Sequence, residues 1–424
     1  MSSSEWRVVK VEDICSIRRG ASPRPIQEYI RESGIPWVKI ADATSSGSRF
    51  IERTKEFIKE EGKAKSRYIE QGTLILSNSA TPGIPKIMKI NACVHDGWLI
   101  IDDYEGVIKE YMYYMFVAER EKLLRLSNGS VFNNLKTDIV KNYEIPLPSI
   151  EEQKAIANIL SSLDEKIELN NQMNKTLEEM AQALFKRWFV DFEFPNENGE
   201  PYKSSGGEMV DSELGMIPKG WEIKTLKDVL DTLEAGNRPK GGALVGENGV
   251  PSIGAENIIG LGKYDFSKEK YVPEEYFSKM KKGIVNSGDV LLYKDGAQLG
   301  RKTMFKNGFP HEKCCINSHV FILRSNQEIT QEFLYFWLDQ DYMTQNIINL
   351  NANSAQPGIN QSQVNTLKIL CPNKQMLNKF SDIVANMLDK IFVNARENIV
   401  LSNTRDTLLP KLMSGEIRVT DLQN

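Results

Sequence analysis

The sequence predicts an α+β protein: two similar mixed α/β domains separated by a two-helix coiled coil, with internal pseudo-two-fold symmetry. Three observations predict it. Residues 149–194, SIEEQKAIANILSSLDEKIELNNQMNKTLEEMAQALFKRWFVDFEF, place apolar residues at steps of four and three. A seam of the same form returns from Phe380 to Leu412. The segments before the two seams repeat one plan of strands, helix and loops.

The first seam reads Ile156, Leu160, Leu163, Ile167, Asn170, Asn174, Leu177, Ala181, Leu184, Trp188. It is a heptad stripe with two polar places in its middle. From Glu151 to Trp188 a helix would run about 57 Å, too long and too one-sided to be stable without a partner stripe. The second seam reads Phe380, Val384, Met387, Ile391, Asn394, Asn398, Leu401, Arg405, Leu408, Leu412. Its asparagines fall at the same places. An ordinary helix bundle is the alternative for each stripe. The duplicated Asn pair favours a coiled coil, because a polar seam residue fixes register at some cost in stability.

In chain order, VVKVEDI opens the first domain, and the apolar GIPWVKIAD follows the basic loop RRGASPRPIQ. TLILSNSAT reads as a strand entering a polar loop, WLIID as another strand and EYMYYMFVAEREKLLRL as a helix. Residues 195–220 are rich in Gly, Pro, Ser and Asn, the composition of a linker. The plan then repeats. GVPSIGAEN answers GIPWVKIAD, GDVLLYKDGAQLGRK answers GTLILSNSATPGIPK, and QEFLYFWL answers KEYMYYMF. A domain-plus-helix unit is duplicated in tandem. The expected divisions are 1–148 and 221–372 for the domains, 149–194 and 373–424 for the helices and tail, and 195–220 for the linker.

The 424 residues are 41% hydrophobic, enough for real cores. Net charge is −4, and no stretch is apolar enough to cross a membrane. Five cysteines and three histidines make no metal-ligand spacing. The chain is expected to be cytoplasmic and reduced. No phosphate-binding glycine loop, nucleophile elbow, zinc-protease motif or methyltransferase signature is present, so no catalytic residue and no metal ligand is expected. His95 and His319 follow strand-like segments in both halves and are expected to be hydrogen-bonded surface residues, with a metal or acid–base role as the alternative.

Charge is segregated. Residues 17–89 carry 14 Lys and Arg against 8 Asp and Glu, and residues 263–306 carry 10 against 6. Residues 151–180 carry 3 against 7. Basic domains beside an acidic helix would keep phosphate attraction on the domains. Two like units joined in tandem suit a target with two like halves, and duplex DNA is such a target. The candidate DNA-contacting residues lie in polar loops after strands. In the first domain they are Arg18, Arg19, Ser22, Arg24, Asn78, Ser79, Thr81 and Lys86. In the second they are Asn237, Arg238, Lys240, Lys294, Asp295, Gln298, Arg301 and Lys302. Arg and Lys suit guanine edges and phosphates, while Asn and Gln suit adenine edges. Turn formation alone also explains the Ser, Asn and Gly of these loops.

YEIPLPSIEEQKAIANILSSLDEKI, ALFKRWFVDFEF, LGMIPKGWEIKTLKDV, INSHVFIL, NANSAQPGIN and LLPKLMSGEIRV together resemble specificity subunits of type I restriction–modification systems, over nearly the whole chain. CPNKQMLNKF departs from the Pro-x-x-Glu-Gln form of PSIEEQ, which leaves the start of the second helix open. The resemblance implies two target-recognition domains, each reading half of a split double-stranded DNA site. It implies helices that set the gap and dock two modification subunits. Those subunits carry S-adenosylmethionine and methylate adenine, and this chain binds no cofactor. A translocating restriction subunit can join. Two other classes remain, an enzyme with an unrecognised site and a coiled-coil scaffold whose end domains bind protein.

The seam pattern matches like with like in either direction. Two separated half-sites and the resemblance favour antiparallel helices. Ile156 then faces Leu412, Leu160 faces Leu408, Ile167 faces Leu401, and Leu177 faces Ile391. Leu184 faces Val384, Trp188 faces Phe380, Asn170 meets Asn398, and Asn174 meets Asn394. Leu163 opposes Arg405, whose head is expected to reach the surface.

Overall fold

The computed structural model describes residues 6–127, 134–239, 241–243, 249–351 and 357–419. The chain divides into two compact units, Met1–Glu168 with Val400–Asn424, and Leu169–Ile399.

In the first unit Arg7–Lys10 pairs antiparallel with Glu144–Leu147. One sheet has the order Ser16–Arg19, Trp98–Asp102, Leu74–Ser77, Pro85–Met88, Phe50–Ile51. Its central strands are buried on both faces. Leu74, Leu76, Leu99 and Ile101 pack in one core with Tyr111, Met112, Met115 and Phe116 of helix Lys109–Ser127. Ile75, Ile100 and Trp98 point the other way, to Val38, Ile51 and Met88. Alternation of side chains along a strand produces both cores, and it explains why these strands read as unbroken apolar runs. A second sheet has the order Ile30–Arg31, Glu56–Ile58, Ile35–Val38, Ala92–Val94, Arg67–Ile69, with Trp37 parallel to Cys93.

The second unit repeats this plan. Glu222–Thr225 pairs antiparallel with Lys368–Cys371. Its main sheet runs Leu230–Ala235, Val320–Ser325, Val290–Tyr293, Lys302–Met304. Ile253 lies parallel to Ile316, as Val38 does to Val94. Helix Gln331–Asp339 buries all of Phe333–Leu338.

The linker expected over 195–220 is ordered. Met209–Ser212 and Gly215–Pro218 form a hairpin. Phe194 stacks on Tyr202 at 4.6 Å and on Trp221 at 4.8 Å. Composition misses this because three aromatic rings outweigh the turn-forming residues around them.

The first long helix is Ile150–Phe185, capped by Ser149, whose Oγ accepts from the Glu152 N–H at 3.3 Å. It continues as a π-helical turn, Lys186–Val190, and stops short of Phe194. The second is Lys374–Ser414, capped by Asn373, which accepts from the Met376 N–H at 2.9 Å. Each unit contains part of both helices, antiparallel within it. In the first unit Ile156 and Leu160 are buried in one core with Leu409, Leu412 and Met413, and partly buried Leu408 packs there. Glu152 holds Arg418 at 2.7 Å, and Asp164 holds Arg405 at 2.6 Å. Ile167 and Leu401 are half-buried. In the second unit Asn170 donates to Asn398 Oδ1 at 2.9 Å, and Asn394 donates to Asn174 Oδ1 at 2.8 Å. Trp188, Phe380, Val384 and Ile391 are buried there, with Leu177 and Leu184 against them.

Two expectations need correction. Arg405 does not carry its head to the surface. It is half-buried on the Asp164 carboxylate, because Asp164 is itself buried and needs a cation. The helices also bury more than a two-helix seam. Phe185, Leu388, Phe392 and Ala395 lie off the seam and are buried. Phe185 sits 5.5 Å from Phe333 and 5.7 Å from Phe380, so the helix is part of the domain core.

Candidate nucleic-acid interface

In the first domain, strand Ser16–Arg19 ends at Gly20, where a Cβ would run into the His95 carbonyl. Only glycine permits that approach. The chain then wraps around Asp96. Arg19 Nε donates to the Asp96 carbonyl at 2.8 Å, Ser22 Oγ to its carboxylate at 2.6 Å and Arg24 to its carboxylate at 3.5 Å. The Ser22 hydrogen bond holds the Asp96 carboxyl below its ordinary range. Arg18 turns instead to Asp102. Arg24 keeps 79% of its side chain exposed.

The loop after strand Leu74–Ser77 meets this cluster. The Asn78 N–H donates to the Gly97 carbonyl at 2.8 Å, and the Asn78 carbonyl accepts from Leu135 at 2.8 Å. Its side chain is buried and donates to the Asp96 carbonyl at 3.4 Å. Asn78 therefore holds the loops together, which corrects its assignment as a base reader. Ser79 and Thr81 are half-buried at the turn, with the Thr81 N–H donating to the Ser79 carbonyl at 2.6 Å.

The second domain builds the same frame. A Cβ on Gly236 would run into the Ile316 carbonyl. Asn237 and Arg238 follow it and are exposed. Lys240 lies outside the described residues. The Lys294 N–H donates to the His319 carbonyl at 3.1 Å, and the Lys294 carbonyl accepts from Ile359 at 2.8 Å. These are the bonds Asn78 makes in the first domain. Asp295 takes the place of Ser79 and accepts from His319 Nδ1 at 2.6 Å. Lys294 Nζ lies 5.3 Å from the Phe321 ring centre. Gln298 is exposed.

Two candidates leave the interface. Lys86 is 6% exposed, and its ammonium donates to the Ser46 carbonyl at 3.0 Å and to that of Ser48. Lys302 is 8% exposed and donates to Thr344 Oγ1 at 2.7 Å, with Asp339 at 3.7 Å. Burial lowers the pKa of both, Lys86 to about 8. Both side chains point inward, Lys86 from a strand paired on both sides and Lys302 from the last strand of its sheet, so neither ammonium faces a phosphate. Arg301 is half-buried on the Ile258 carbonyl at 3.0 Å. It lines a cavity of about 440 Å³ with Glu178, Gln182 and Asp339.

The two histidines are two places apart in the frame. His95 corresponds to Asn317: His95 Nδ1 accepts from the Gly97 N–H at 2.6 Å, and Asn317 Oδ1 accepts from the His319 N–H at 2.8 Å. Burial lowers the His95 pKa, which suits an unprotonated acceptor nitrogen. Among the described residues no cluster of three His, Cys, Asp or Glu could hold a metal, and no helix is long and apolar enough to cross a membrane.

The family model for the type I restriction modification DNA specificity domain matches residues 3–179 and 218–401. The chain belongs to this family. A curated relative, the type I restriction enzyme MjaIX specificity subunit of Methanocaldococcus jannaschii, is 30% identical over 99% of this chain and 95% of its own length. The HindI specificity subunit of Haemophilus influenzae is 26% identical over 84% of this chain and 88% of its own. The crystal structure of a type I S subunit from M. genitalium shares the fold, with TM-score 0.61 at 16% identity and 97% coverage of both chains. As a type I specificity subunit the chain is a DNA-recognition subunit and not itself an enzyme. Sequence reasoning missed Asp96, the hub of the first loop face. Its signal was the HDG turn directly before the apolar strand WLIID.

Proposed function

We propose that the domains at 1–148 and 221–372 each read one half of a bipartite DNA site, through the loop faces centred on Asp96 and on Asp295. The chain acts as the specificity subunit of a type I restriction–modification complex, with modification and restriction subunits as its partners. The paired helices dock the modification subunits, which methylate adenine, and the pairing register sets the gap between half-sites. The complex works in the cytoplasm.

One observation carries this reading. The two faces share backbone hydrogen bonds but differ in side chains, with Ser79 and Gly97 on one and Asp295 and His319 on the other. A common frame with exchangeable side chains suits a reader of two different half-sites, because base-edge contacts carry the sequence information. Expression with the modification subunit and genome-wide mapping of methylated adenine tests it. Replacing residues 17–148 by those of a relative should change one half-site and leave the other. Change in both halves would refute modular reading. Purified chain that shifts all duplexes alike, or none, would favour a protein-binding scaffold.

A further inference from the structure

We propose that His319 reads a base in the half-site of the second domain, with Asp295 as the positioning residue that fixes its tautomer. The inference rests on the DNA-reading function proposed above and names a residue within it.

A carboxylate can only accept, so the 2.6 Å bond to Asp295 Oδ1 is donated by His319 Nδ1. In the neutral ring Nε2 is then an acceptor. Among the described residues Nε2 has no hydrogen-bond partner, and the side chain is 39% exposed. The backbone on both sides is fixed. The His319 N–H is held by Asn317 Oδ1 at 2.8 Å, and its carbonyl accepts from Lys294 at 3.1 Å. Asp295 is anchored by its bridge to Gly358 and by the Gly296 N–H on the Pro357 carbonyl at 2.8 Å. The imidazole is therefore pre-aimed, as a specificity contact requires.

The fold does not need this imidazole. The first domain has Gly97 at the same point of the frame, accepting the same backbone bond from Asn78 at 2.8 Å. A side chain that the frame does without, oriented by a carboxylate and open at its far nitrogen, is suited to a ligand. The ligand edge is one that donates: the exocyclic amine of an adenine or a cytosine in the major groove. An acceptor aimed at one side of the groove tells such a base pair from its reverse.

The test is the methylome of the complex carrying His319→Ala, and separately Asp295→Asn. With His319→Ala, one base pair of one half-site should become degenerate, discrimination there falling roughly ten- to hundred-fold. The half-site that follows residues 17–148 in the domain replacement should be unchanged. Asp295→Asn can donate to Nδ1 as well as accept from it, so both tautomers become available and the same base pair should relax. If His319→Ala abolishes methylation, the Asp295→Asn motif decides, since that variant keeps the imidazole. An unchanged motif in whichever variants methylate, or relaxation in the other half-site, overturns the proposal. A wild-type complex whose motif is not bipartite would instead overturn the reading on which it rests.

Discussion

The loop faces of the two domains are built on one frame and carry different chemistry. In the first, a single carboxylate, Asp96, gathers Ser22 and Arg24, and its carbonyl takes Arg19. In the second, Asp295 holds one imidazole, and Arg238 is exposed. Beneath both lie the same glycine against a carbonyl, the same paired loop bonds and the same inward-pointing lysine. Positions that maintain the frame admit few residue types, because backbone atoms sit where a side chain would go. Positions on the face admit many, because only solvent or ligand lies beyond them.

The largest effect should come from the shared glycines. Gly20→Ala and Gly236→Ala each force a methyl group onto a carbonyl, at a cost of about 3 kcal/mol, the upper end for overpacking. Denaturant melts should show comparable losses. Tolerance at one site only would break the equivalence of the two frames.

The buried lysines should differ by somewhat less. Lys302→Met leaves the half-buried Asp339 without its cation and should cost about 2 kcal/mol, less than a fully buried pair would. Lys86→Met removes a donor to two neutral carbonyls and should cost about 1 kcal/mol. An equal loss for both would show that the Asp339 ion pair adds nothing. The Lys86 site also predicts a pH dependence. The unfolded chain keeps this proton up to the ordinary lysine value of 10.5, whereas the folded chain releases it near 8. Between those values the unfolded state binds more protons, so this group makes stability rise with pH. The wild-type advantage over Lys86→Met should therefore grow from pH 8 to 10.5. A shrinking advantage in thermal melts would contradict the assigned direction.

The smallest effect on stability should come from the faces. Arg24→Ala and Arg238→Ala should leave stability within about 0.5 kcal/mol. Each should weaken DNA binding for all sequences alike and reduce the salt slope by about one unit if it meets a phosphate. Unchanged affinity across a salt titration would remove that arginine from the contact.

Much of this was legible in the residues. The tandem repeat, the strands at 74 and 98, the helix at 109 and the two Asn-bearing seams follow from periodicity, because strand and helix spacing are written locally. Directions and depths were not. Lys86 and Lys302 read as loop cations after polar runs, yet each lies in a strand with its side chain turned inward. Asn78 read as a base reader because a polar residue after a strand is equally suited to binding or to bracing a turn.

Sequence by itself determined the duplicated architecture, the place of the polar layer within each seam and, through the family, the kind of molecule this is. Only the tertiary structure decided the antiparallel sense within each unit, since like residues align in either direction and Asn170 must physically meet Asn398 rather than Asn394. Only it decided which polar loop residues brace and which face outward. That choice depends on neighbours far along the chain, such as Asp96 beside Ser22 and His319 beside Asp295, and no local pattern encodes such distances.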